Sequence, residues 1–222
     1  MPISAIITGA TGMVGEGVLM ECLADLRVER VLIINRRPSG FTHPKLREIV
    51  HADFHDLSAI QSQLAGYAAC FFCLGVSSLG MSEADYTKVT YDLTVNVGRT
   101  LARLNPDMAF AYVSGAGTDS TEHGRTMWAR VKGATENELL RLFKRGVMFR
   151  PGFMRKTPGQ KNIKGWYAAF AWVYPIGRRL YPAGFCTLQE VGRAMINAAS
   201  TGSGKRVLEV KDIVALAALP RG

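Results

Sequence analysis

Three glycines spaced three residues apart, Gly9, Gly12 and Gly15, sit in Ile6-Ile7-Thr8-Gly9-Ala10-Thr11-Gly12-Met13-Val14-Gly15, and no other feature restricts the fold as strongly. Before them, Ile3–Thr8 is a short β-rich run; after them, Gly12–Asp25 carries Met13, Val14, Val18, Leu19 and Cys22 at helical spacing. A strand that turns directly into a helix needs a residue without Cβ at the turn, and a small residue where the helix packs on the strand. The helix start also presents unpaired N–H groups and the positive end of a dipole. An ordinary glycine-rich turn is the competing reading, but the strand–turn–helix context favours a cradle for a pyrophosphate, and hence a dinucleotide site.

The rest of the chain continues the alternation. Val31–Asn35, Arg47–His51, Ala68–Cys73, Met108–Val113 and Val147–Arg150 read as apolar strands. Between them, Asp56–Leu64 (with Asp56 as N-cap), Ser82–Leu104 (capped by Ser82) and Thr126–Leu142 read as helices. Such alternation predicts an α/β fold, a doubly wound parallel sheet of Rossmann type buried on both faces. After Pro151-Gly152 the texture changes: 153–165 is basic and turn-rich, 166–182 aromatic and apolar, Thr187–Ala199 helical, and Val207–Val210 a last strand. The 222 residues thus predict a single domain, 1–222. Residues 1–150 form its cofactor-binding core, and 151–222 a small substrate-side C-terminal cap.

At the end of the second strand, about 20 residues past the glycines, stands Asn35-Arg36-Arg37. An acid at that place suits the ribose 2′-hydroxyl of NAD, whereas arginine accommodates a 2′-phosphate. The competing reading is a pair of solvated loop residues. The arginines favour NADP(H) over NAD(H).

A formal net charge of +9 could serve nucleic acid, anionic lipid or an anionic cofactor. The cations are scattered apart from a cluster over 155–179, which speaks against nucleic acid. Cys70 and Cys73 have C-x-x-C spacing but lie in one apolar strand. Residues three apart in a strand face opposite ways, so the pair is read as core, in a reducing cytoplasmic compartment. The first residues carry no secretory n-region, and Trp166–Ile176 is too short for a membrane helix of about 20 residues. His43, His51, His55 and His123 show no ligand spacing, so no metal is expected, and the absence of G-x-S-x-G argues against an α/β-hydrolase.

The segment Thr8–Gly15 resembles the cofactor loop of extended and atypical short-chain dehydrogenase/reductases, in particular their epimerase-like, Tat-interacting-protein-like oxidoreductase group, and the likeness runs through most of the chain. The resemblance implies cofactor contacts from Gly9, Thr11, Gly12, Met13, Val14, Gly15, Arg36 and Arg37. It adds Asp53 and Phe54 from Ala52-Asp53-Phe54 near the adenine, and Leu74 and Gly75 from Cys73-Leu74-Gly75 near its ribose. Asn96 resembles a helix asparagine of extended members, and Pro151 in Arg150-Pro151-Gly152 the turn on the nicotinamide side. Ser114 resembles the family's catalytic serine. The family's Tyr-x-x-x-Lys pair reads Trp128-Ala129-Arg130-Val131-Lys132. Lys132 is in place to grip the nicotinamide ribose, but an indole N–H has no accessible proton-transfer equilibrium.

Tyr86, Tyr91, Tyr112, Asp119 and His123 are then the residues that could replace the missing phenol. Water is another proton source, and binding of NADP(H) without turnover is a third account. Two function classes follow: an NADP-dependent oxidoreductase or epimerase-like enzyme on a small or apolar carbonyl or alcohol, or a noncatalytic NADP(H)-binding regulator or scaffold. The aromatic run 166–176, flanked by Arg155, Lys156, Lys161, Lys164, Arg178 and Arg179, reads as packing on the domain or on a second subunit. A pocket wall and, least favoured, a membrane surface are its alternatives.

Overall fold

Strands form where Ile, Val, Ala and Phe run without interruption, and their alternation builds two cores. The computed structural model describes residues 2–162 and 173–220. In chain order it holds β1 (Ile3–Thr8), α1 (Met13–Ala24), β2 (Val28–Asn35), β3 (Leu46–Val50), a 3-10 turn (Ser58–Gln63) and β4 (Ala69–Phe72). Then come α2 (Glu83–Thr87), a π-helical turn (Lys88–Asp92), α3 (Leu93–Leu104), β5 (Ala109–Val113), α4 (Met127–Leu142), β6 (Arg145–Arg150) and β7 (Phe153–Arg155). The described chain closes with α5 (Val173–Leu180), β8 (Phe185–Thr187), α6 (Leu188–Thr201), β9 (Val207–Glu209) and α7 (Val210–Ala217).

Seven strands pair in the order β3-β2-β1-β4-β5-β6-β9, every pair parallel. Ile7, Ile33, Phe71, Ala111 and Phe149 face one core with residues of α1 and α6. Ile6, Leu32, Phe72, Phe110 and Met148 face the other with residues of α3 and α4. Both faces are therefore covered, as the near-continuous apolar strands predict. Winding runs outward from β1 to β3 and then returns to β4 on the other side of β1. This makes the carboxyl ends of β1 and β4 the switch point where ligands of such sheets bind.

Several boundaries differ from the sequence reading. The helix expected over Asp56–Leu64 is a 3-10 turn, and the Asp56 carboxylate accepts the Ser58 N–H at 2.9 Å, two residues on. The long helix starts as expected, with Ser82 Oγ accepting the Asp85 N–H, but is interrupted by the π-helical turn. The C-terminal part is less separate than a cap: β9 extends the main sheet, and β7 pairs with β8 in a region read as turns. α6 opens on a capping box of Thr187 and Glu190. The aromatic run lies outside the described residues as far as 172; its end forms the start of α5. Among the described residues no helix is long and apolar enough to cross a membrane, and all four cysteines are free, Cys70 and Cys73 on opposite faces of the sheet.

Candidate functional site

The turn from β1 into α1 is closed by backbone contacts that exclude side chains. Gly9 has φ +72, and a Cβ there would lie 2.8 Å from Leu74 N and 2.9 Å from the Cys73 carbonyl. A Cβ on Gly15 would fall 2.1 Å from Gly9 O. The Gly12 N–H donates to Gly9 O, and the Glu16 N–H to Gly12 O, both at 2.9 Å. Strand end, turn and helix start therefore form one tight unit, with Thr11 and Gly12 exposed.

Beside this unit opens a cavity of about 740 Å³, bordered by Gly9, Thr11, Arg36, Arg37, Phe54 and Leu74, a size common to small-molecule sites. Arg36 and Arg37 are exposed and have no hydrogen bond or ion pair among the described residues. Asn35 also lines the cavity. It is 3% exposed, donates through Nδ2 to Glu48 at 2.8 Å, and leaves Oδ1 buried without a partner among the described residues. Thr8 Oγ1, at the end of β1, is likewise buried and without a partner among them. Buried polar atoms of this kind cost free energy unless something meets them. A glycine cradle, two unpaired guanidinium groups and an orphaned acceptor fit a ligand that carries phosphates and hydroxyls.

Other sequence-selected residues fall around this cavity in different ways. Ala52 and Phe54 line it, but Asp53 does not; its carboxylate accepts the His55 N–H at 2.8 Å, within its own turn. Asn96 holds that turn, donating to the carbonyls of Phe54 and His55 at 3.0 and 2.9 Å. Met13 and Val14 form the first turn of α1. Gly75 is exposed in open space beyond Leu74. The buried Pro151 accepts the Ala116 N–H at 2.9 Å and so joins the loops after β5 and β6.

At those loops, Ser114 does not face open space. It is 3% exposed, and its Oγ donates to Glu136 on α4, with Phe149 O at 3.1 Å. Glu136 is fully buried and pairs with Arg150 through both carboxylate oxygens; Arg150 also reaches Glu209 at 3.3 Å and Ser120. The next residue, Gly115, has φ +123 and nothing within 4 Å of where a Cβ would be. Lys132 Nζ donates to the Ser114 carbonyl, and burial lowers its pKa, partly opposed by Glu136. Trp128, one turn earlier on the same face, lies over the loop, its ring 3.4 Å from a Cβ built on Gly117.

None of the five candidate proton donors lines the cavity. Tyr86 and Tyr112 are buried, and burial pushes both phenols up. Tyr91 borders a separate groove with Glu83 and Arg130. Asp119 accepts from Thr121 Oγ1, the Gly124 N–H and the Thr121 N–H, which hold its carboxyl below the usual range. His123 is exposed. Among the described residues no group of three or more His, Cys, Asp or Glu converges on a common point. The Glu136–Arg150 pair escaped the sequence reading, although the i, i+4 spacing from Lys132 puts Glu136 on the same helix face.

Against known proteins, the model of the family described as "NAD dependent epimerase/dehydratase family" matches residues 5–129. Protein HTATIP2 of Rattus norvegicus is 27% identical over 223 residues, covering 96% of this chain and 88% of its own length. Protein FMP52-1, mitochondrial, of Scheffersomyces stipitis is 25% identical over 154 residues, covering 68% of this chain and 67% of its own. Among solved structures, the ADP-L-glycero-D-manno-heptose-6-epimerase of Helicobacter pylori superposes with TM-score 0.66 at 16% identity, covering 97% of this chain and 81% of that one. The dTDP-glucose 4,6-dehydratase DesIV of Streptomyces venezuelae, solved with NAD, gives 0.67 at 13% identity, covering 97% and 80%. These superpositions bear out the Rossmann-type fold. The expectation of a cytoplasmic compartment is corrected, because several relatives are named mitochondrial. Free thiols separate reducing from oxidising surroundings; they do not separate one reducing compartment from another.

Proposed function

The chain belongs to the NAD dependent epimerase/dehydratase family, and from that premise we infer that it binds NADP(H) in preference to NAD(H), as an oxidoreductase or epimerase-like enzyme on a small carbonyl or alcohol. The observation that carries the cofactor choice is the pair Arg36 and Arg37, exposed on the cavity wall without partners among the described residues. Guanidinium groups match phosphate oxygens and stay charged at any physiological pH. In this reading Gly9, Thr11 and Gly12, with Met13, Val14 and Gly15 opening α1, take the pyrophosphate. Arg36 and Arg37 take the 2′-phosphate, Phe54 and Leu74 border the adenosine, and Lys132 and Pro151 border the nicotinamide side; Asp53 and Gly75, expected beside the adenosine, do not line the cavity. The bound nicotinamide would supply the hydride donor or acceptor. Lys132 orients, Ser114 positions through Glu136, and the proton exchanges with solvent, because no side chain of the proper kind stands where the family keeps its phenol.

A second reading, a noncatalytic NADP(H)-binding regulator or scaffold, is supported by two features at one end of the site. Trp128 replaces the phenol, and Ser114 is engaged by Glu136. Calorimetric titration tests the cofactor. Loss of a charge-assisted contact costs about 1.5–3 kcal/mol, so Arg36→Ala should weaken NADPH roughly tenfold to a hundredfold and leave NADH unchanged. Equal affinity of the wild type for both dinucleotides overturns the choice. Nicotinamide absorbance across carbonyl and alcohol substrates then separates the readings: turnover favours the enzyme, its absence the binding protein.

A further inference from the structure

The first turn of α1 is held by a segment from the far half of the chain. Lys161 and Asn162 donate their backbone N–H groups to the two carboxylate oxygens of Glu16, each at 2.7 Å. Gln160 Nε2 donates to Met13 O at 2.7 Å, and Gln160 Oε1 accepts the Thr157 N–H at 2.7 Å. Glu16 is 1% exposed. A carboxylate so placed needs donors, and Glu16 directly follows the last loop glycine, Gly15, in the first turn of α1. The two N–H groups of the segment meet that charge. They also set Asn162 on the wall of the 740 Å³ cavity with Gly9, Thr11 and Arg36. The Asn162 carboxamide makes no hydrogen bond among the described residues, and the same cavity holds the buried, unpaired Asn35 Oδ1.

We propose that residues 157–162 form a strap over the adenosine end of the cavity, in which the Asn162 carboxamide donates to a phosphate oxygen of the ligand and Glu16 is the positioning residue that docks the strap. The proposal rests on the NADP(H) reading. The adenosine end is assigned because Asn162 shares its wall with Arg36, Arg37 and Phe54, at the ends of β2 and β3. Docking of the strap and binding of the ligand then favour each other, since each supplies part of the wall that the other needs.

Lys161 makes the strap readable, because trypsin can cut after it only when the segment leaves Glu16. The experiment compares wild type, Asn162→Ala, Glu16→Gln and Arg36→Ala by calorimetry with NADPH and with adenosine 2′,5′-bisphosphate, which lacks the nicotinamide. Limited trypsinolysis with and without each ligand is followed by mass spectrometry. Asn162→Ala should weaken both ligands alike, by roughly threefold to tenfold. Glu16→Gln should weaken both and speed cleavage after Lys161 in the free protein, and either ligand should slow that cleavage in wild type. If Glu16→Gln does not fold, Asn162→Ala still decides, because its backbone N–H to Glu16 is kept. Wild-type affinities in Asn162→Ala, with Arg36→Ala weakened and no protection at Lys161, would overturn the strap and leave the cofactor reading standing. Weakened NADPH with unchanged bisphosphate would overturn the adenosine placement. A wild type that binds neither NADPH nor NADH removes the cofactor reading and the strap together.

Discussion

Replacing Gly15 with alanine adds one methyl group where α1 meets the end of β1. The new carbon would lie 2.1 Å from Gly9 O, 2.5 Å from Gly9 C and 2.9 Å from Ala10 N. These are backbone atoms, and Gly9 O is already fixed by the Gly12 N–H at 2.9 Å, so no side chain can rotate away to relieve the contact. Overpacking costs about 1–3 kcal/mol, and an approach this far inside contact distance belongs at the upper end. Alanine returns about 0.5–1 kcal/mol through helix propensity. The net loss is about 2 kcal/mol, and in a chain of this size that lowers the Tm by roughly 4–8 °C. Gly12→Ala is the control, since its Cβ would meet only Gly9 O, at 3.3 Å; it should shift the Tm by less than about 3 °C. Differential scanning calorimetry without ligand gives both shifts. NADPH titration below the lower midpoint should show Gly15→Ala weakened, because the loop must move to admit the methyl group; Gly12→Ala is a control for the thermal shift alone, since Gly12 itself is assigned to the pyrophosphate. A Gly15→Ala variant that melts with wild type and binds NADPH as well would refute the claim that this contact sets the loop.

Glu136→Gln removes the carboxylate that Arg150 pairs with inside the domain, and breaking a buried pair in this way costs about 3–5 kcal/mol, with the more exposed Glu209 as the only remaining acid partner among the described residues. Thermal denaturation should show the loss, and a midpoint within about 2 °C of wild type would sink the assignment of this pair as the link between β5, α4 and β6. Trp128→Tyr should leave carbonyl turnover with NADPH at the wild-type level, because the Ser114 hydroxyl is engaged by Glu136 and is not free to polarise a substrate oxygen. A rise of about tenfold or more, worth about 1.4 kcal/mol in the barrier, would overturn that reasoning.

The central sheet was legible because its strands are apolar on both faces, a pattern that only a doubly covered parallel sheet satisfies. The glycine loop was legible because its constraints are local: each close contact of Gly15 is with backbone a few residues away. The orientation of Ser114 was open to the same kind of reading. Alternation along β5 places it with Phe110 and Tyr112, which face the core beneath α3 and α4. Contacts between distant segments were not legible. Glu16 in the first turn of α1 gives no sign that it will accept the N–H of Lys161, 145 residues later. β7 and β8 are three residues each, too short for periodicity to register. Asp56 illustrates a finer limit: an N-cap and an i+2 turn use the same carboxylate-to-N–H bond, and sequence does not say which backbone follows.

The two ends of the site depart from the family pattern by different amounts, and this decides how the missing phenol should be read. The end proposed to hold the cofactor has a tight backbone turn at Gly9 and Gly15, Arg36 and Arg37 on the cavity wall, and an asparagine that holds the Phe54 turn. The other end differs at Trp128, and its Ser114 hydroxyl is turned inward to Glu136. Trp128 packs over the loop at Gly117, whose φ is +84, and Gly115 stands at φ +123. Side chains other than glycine rarely adopt such backbone, at a cost of about 1–3 kcal/mol each. Tryptophan packed on this loop and the inward Ser114–Glu136 bond belong to one packed arrangement. On the proposed reading, restoring the phenol alone does not restore the family's proton transfer, because Ser114 still points at Glu136.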